Sequence, residues 1–157
     1  MNLLPFFKWC DATWIGEVIR QSTTIFPVIE VLHLFGLTIL LGTLTIIDLR
    51  ILGIGMRRQS IPTVVSNLGP LTVWAAVVTI VSGILLFLSE ALKCYDNQAF
   101  PWKMWLLLAG ILLYPLFQRR MTRSGALESS AQMKIVAVLS LVFWYGVALA
   151  GRAIAFV

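Results

Sequence analysis

The sequence has one histidine, two cysteines and few charges, 12% of 157 residues. Each scarcity excludes something. There is no Cys-x-x-Cys pair, no His-Glu-x-x-His helix, no Gly-rich phosphate loop and no nucleophile elbow, so catalysis of the soluble kind has no motif to rest on. The low charge, with a mean hydropathy of +0.91, excludes an ordinary soluble domain and fits a small polytopic membrane protein, one domain over residues 1–157. A formal charge of +5 raises nucleic acid as a partner. The basic residues, however, stand in short clusters between apolar runs, as in membrane loops, so the lipid bilayer is the expected partner and nucleic acid is not. Met1–Trp9, with Pro5 early and Lys8 after the apolar residues, lacks the charged start and small-residue cleavage site of a signal peptide and reads as mature sequence.

What is present is a set of long apolar runs. The expected fold is all-α: a four-helix transmembrane bundle with spans near 24–52, 71–89, 102–118 and 135–157, preceded by an interfacial amphipathic helix over 1–22. In that first segment Trp14, Ile15, Val18 and Ile19 fall on one face opposite Asp11, Glu17 and Arg20, which suits a helix lying at headgroup level or packed on the bundle. Gly53, Gly55, Pro62 and Pro70 mark 53–70 as a loop with at most a turn of helix in it. Lys103 has to snorkel at the start of the third span. Small Ser82 and Gly83 at mid-depth allow close helix approach. Arg50, Arg57, Arg58, Arg119, Arg120, Arg123 and Lys134 lie on one side of this layout, seven in all, against five on the other. The excess marks the cytoplasmic side, which puts both termini in the periplasm of a bacterial inner membrane. Cys10 and Cys94 then share the oxidising side, as a disulfide or as two free buried thiols.

The chain is organised around residues 24–54, which hold His33. From Glu30 to Asp48 is roughly 27 Å at helical rise, so these carboxylates lie near opposite faces of the hydrocarbon. Antiparallel threading gathers Glu30, His33, Glu90, Lys93, Lys103 and Arg152 at one end of the bundle. An ionisable group inside a span is costly and calls for a role or a partner. A neutral imidazole in a helical bundle is the usual axial ligand of haem b, whose porphyrin needs apolar walls. His33 would hold the iron, Arg152 and Lys103 the propionates, and Glu30 the second ring nitrogen. With one histidine, the sixth ligand is Met104, water or His33 of a second copy. Equally, Glu30 and His33 read as a packed structural pair. Asp48 and Arg50 point to different sides of the helix, and Asp48-Leu49-Arg50 suits a helix-end anchor pairing with the next helix. Trp14, Trp74, Trp102 and Trp105 read as interface residues, and Trp144 and Tyr145 as core.

His33 followed by Gly36, Gly42 and Asp48-Leu49-Arg50-Ile51-Leu52-Gly53, then Ser82-Gly83-Ile84-Leu85-Leu86-Phe87, Asn97-x-x-Phe100-x-x-Lys103 and Gly151-Arg152-Ala153-Ile154-Ala155, resembles a family of uncharacterised bacterial four-helix inner-membrane proteins, over about residues 25–157. Gln98 stands where such proteins commonly carry Pro after the loop Asn. More distantly, the layout is similar to the copper-resistance D membrane domain and the J-type protoporphyrinogen oxidase, which implies haem or porphyrin chemistry. The aromatic-Gly-Leu-Tyr signature of that oxidase is missing, so its activity is not carried over. The expected function is a small haem-binding accessory subunit serving electron transfer in a membrane redox complex, without turnover of its own, as a homo-oligomer or beside larger partners. The rivals are a structural or assembly subunit and a small transporter or metal-handling protein.

Overall fold

A computed structural model describes residues 3–97, 100–110, 112 and 131–153, with side chains in the last segment as far as Gly151. All described elements are helices. In chain order they are α1 (Leu4–Asp11), α2 (Trp14–Gln21), α3 (Ile25–Leu52), α4 (Ile61–Ser89), α5 (Ala91–Asp96), α6 (residues 100–110) and α7 (Ala131–Ala153). Three of them, α3, α4 and α7, are long and apolar enough to cross a membrane. Their outward faces carry Val31, Phe35, Trp74, Val81, Leu139 and Val142, all exposed. Such faces are stable against lipid rather than water, which marks the chain as a membrane protein. Of the expected third span, α6 supplies the first part, and residues 113–118 lie outside the described residues.

The second span differs from expectation at its start. α4 begins at Ile61, and only 53–60 is loop. Ser60 is an N-cap whose hydroxyl accepts from the Thr63 amide, with Pro62 in the first turn, where a missing N–H costs nothing. Pro70 lies inside the helix without ending it. Val64, Val65, Thr72 and Ala75 are buried on either side of it, and this packing outweighs one lost backbone bond. The preceding turn is fixed by Gly53, whose φ of +77° only glycine adopts freely; the amides of Gly53 and Ile54 close back on the Arg50 and Leu49 carbonyls. Arg50 and Arg57 then donate to the carbonyls of Gln59 and Gly53.

The N-terminal segment is likewise two helices rather than one. Thr13 breaks it by capping α2. Gly16 and Ile19 of α2 are buried against the bundle, while Trp14, Ile15 and Val18 face outward. α3 packs along both α4 and α7, α2 against α4, and α1 against α5. Apolar contacts form three clusters along the bundle: Phe7, Cys10 and Ala91 with Phe87 and Phe100 at the amino-terminal end; Leu40, Leu44 and Ala75 with Trp144 in the middle; and Ile47, Ile51, Ile61, Val64, Val65, Met133 and Ala137 at the opposite end.

Candidate functional site

α3 and α4 run antiparallel, and two glycines let them come close. A Cβ added at Gly36 would stand 2.8 Å from Thr79 Oγ1, and one added at Gly83 would stand 3.1 Å from His33 Cε1. The imidazole is therefore laid flat into space that a side chain at position 83 would fill. His33 Nδ1 lies 3.0 Å from Ser82 Oγ. The Ser82 hydroxyl has one hydrogen and donates it to the Val78 carbonyl at 2.5 Å. With its hydrogen so placed, the Ser82 oxygen accepts from Nδ1–H, a role assigned from this network, and the Thr79 backbone also faces the ring.

Lys103 of α6 meets this site. Its side-chain end lies against α7, with Nζ and Cε each 3.5 Å and 3.5 Å from where a Gly151 Cβ would be, and its charge acts on both the His33 ring and the Cys94 thiol. His33 thus meets Ser82 and Gly83 of α4, while Lys103 rests at Gly151 of α7 and its charge reaches both His33 and Cys94. The backbone of Arg152 is at the same end, and its side chain lies outside the described residues. Two expected members are not drawn in. Glu30 is exposed, and among the described residues it has no hydrogen-bonding partner; with the ring turned toward α4, Ser82 takes the orienting place expected of Glu30. Met104 is exposed as well, about 100° round α6 from Lys103. From the sequence, Ser82 reads only as a small residue at a helix approach and Cys94 only as a disulfide candidate. The serine's hydroxyl and the thiol become neighbours of His33 and Lys103 only when α4 and α5 fold back.

At the opposite end, Asp48 is 1% exposed and one carboxylate oxygen, Oδ2, has no partner among the described residues. The carboxyl meets the Ser140 side chain of α7. The anchor expected to pair with the next helix meets α7 instead of α4. Trp144 packs in the middle cluster beside Phe143, their rings 5.5 Å apart, whereas Tyr145 is exposed and reaches Thr45 at 3.2 Å.

Both cysteines lie in the amino-terminal cluster, Cys10 buried within it and Cys94 packed against it. Burial pushes both thiols above their ordinary range. No group of three or more His, Cys, Asp and Glu side chains suited to a bare metal ion occurs among the described residues. The site offers one nitrogen donor oriented by Ser82, with the Lys103 charge acting on it, a donor set insufficient for a bare ion.

No curated protein and no solved structure matches the chain. The N-terminal helices, which the sequence resemblance left outside, fall almost wholly within the family match. The chain belongs to the family of unknown function DUF6644, whose profile matches residues 6–157.

Proposed function

We propose that this protein is a small integral membrane subunit that binds haem b through His33 and serves electron transfer in a membrane redox complex, with no turnover of its own. The observation that carries the reading is the Nδ1 contact with Ser82, which orients the ring and would leave Nε2 to ligate the iron. The porphyrin would supply the remaining nitrogens and a one-electron couple. Lys103 and Arg152 would hold the propionates, where positive charge offsets the cost of burying anions. The more distant likeness to the copper-resistance D domain and the J-type oxidase points the same way. The setting is a four-helix bundle in a bacterial inner membrane, multi-pass, with 102–118 as the remaining span, α1 and α2 at the interface and both termini periplasmic. A second copy or a larger partner would complete the complex.

A second reading draws on the same observation. The His33–Ser82 bond also ties α3 to α4, as expected of a structural or assembly subunit packed against larger membrane proteins. A reduced-minus-oxidised spectrum of the purified protein separates the two. Haem gives a Soret band and an α peak, lost in His33→Ala and shifted in potential in Arg152→Gln. A colourless protein whose His33→Ala and Arg152→Gln variants fail to assemble refutes the haem reading.

A further inference from the structure

The two thiols lie where α1 and α5 meet, and haem binding makes no use of them. Phe7 of α1 places its ring 5.2 Å from that of Tyr95, the residue after Cys94, and 5.6 Å from Phe87. Cys10 follows Phe7 by one turn on the same face. Between the helices is Ala91, fully buried and one turn before Cys94, so the backbones approach through a methyl group. The faces that pack together therefore carry both cysteines of the chain, and both are free thiols here.

We propose that Cys10 and Cys94 are a redox pair that closes into an intramolecular disulfide, tying α1 to α5 at the amino-terminal end of the bundle. The two thiols differ in a way that sets the order of events. Cys10 is 2% exposed, whereas Cys94 is half-buried and has the Lys103 ammonium beside it. Cys94 is thus the thiol an external disulfide reaches first. The Cys94 thiolate attacks one sulfur of a dithiol oxidant in its disulfide form, making a mixed disulfide and expelling the other oxidant sulfur as thiolate. The Cys10 thiolate then attacks Cys94 Sγ, the protein disulfide forms, and the second oxidant sulfur leaves. Two electrons pass to the oxidant, and the two protons of the protein thiols leave with them. The bond pins α1, otherwise held by the ring contacts of Phe7, beside the Lys103 side of the site.

The test uses the full chain in detergent micelles. It is treated with oxidised dithiothreitol, blocked with N-ethylmaleimide and weighed intact, alongside a sample reduced first. The expected oxidised product is a monomer lighter by two hydrogens and carrying no maleimide, and reduction restores two labels. Brief exposure of the reduced chain to maleimide labels Cys94 ahead of Cys10, read by peptide mapping. After cleavage at Arg20, the α1 fragment stays with the rest of the chain on a non-reducing gel and separates on reduction. Two maleimides on the oxidant-treated chain, or a disulfide-linked dimer in place of the intramolecular bond, overturns the proposal. Because the measurement is on the unsubstituted chain, it does not depend on any variant folding, and it is independent of whether the protein is pigmented.

Discussion

Gly36→Ala probes the α3–α4 seam and the site together. A Cβ there stands 2.8 Å from Thr79 Oγ1, 3.1 Å from Val78 Cγ1 and 3.3 Å from the Thr79 amide nitrogen. Thr79 Oγ1 donates to the Ala75 carbonyl at 2.8 Å, so the hydroxyl does not swing aside without giving up that bond, and the last contact belongs to the α4 backbone. The helices have to part by about 0.6 Å to reach ordinary contact, and a gap of that size forfeits a quarter to a half of the dispersion energy at each facing pair. Overpacking of this kind costs about 1–3 kcal/mol. His33 is one turn from Gly36, and Ser82 one turn from Thr79, so the same shift stretches the 3.0 Å His33–Ser82 bond to about 3.6 Å, which is no longer a hydrogen bond. Ser82→Ala should therefore cost about 0.6 kcal/mol in the native background, the usual worth of an interhelical bond in a membrane. In the Gly36→Ala background it should cost nothing. The assay is a double-mutant cycle by SDS titration in mixed micelles, followed by far-ultraviolet circular dichroism. A Gly36→Ala variant as stable as the parent, or two effects that simply add, refutes the reasoning.

Ser140→Ala strips the partner from a carboxyl that is 1% exposed and should cost about 1–3 kcal/mol, most of it recovered in Asp48→Leu/Ser140→Ala, where no polar group is left behind; the same titration checks both, and an unrecovered double variant sinks the argument. Gly16→Ala puts a Cβ 2.3 Å from the Leu88 carbonyl oxygen, which α4 cannot turn aside, so α2 should lift and trypsin should cut faster after Arg20; unchanged cleavage means α2 does not rest on that contact. Burial raises the Cys94 thiol, so its alkylation rate in the folded chain should rise at more alkaline pH than in the denatured chain. The protonated thiol's contribution to stability is complete below the ordinary thiol range and is lost as pH climbs through the raised value; coincident rate profiles contradict this. A reporter active only in the periplasm should work after Val157 and fail after Arg123, and the reverse pattern overturns the orientation.

The sequence by itself determined that the chain is helical and built for a membrane, because long apolar runs and sparse charge act residue by residue and need no partner. It also singled out His33 and Lys103, since an ionisable group in an apolar run is legible wherever it packs. Helix ends were harder. Ser60-Ile61-Pro62 reads as a break or as a cap with Pro in the first turn, and Pro70 as a stop or as a tolerated interruption. Only the burial of Val64, Val65, Thr72 and Ala75 around it decided for one long helix. The tertiary structure alone decided who pairs with whom. Glu30, one turn from His33 in sequence, faces outward, while Ser82, forty-nine positions away, holds the ring. Sequence spacing fixes which residues share a helix face, but not toward which neighbour that face turns. That direction follows from Gly36 and Gly83, where the missing side chains let α3 and α4 approach, and from Gly151, where Lys103 comes to rest on α7.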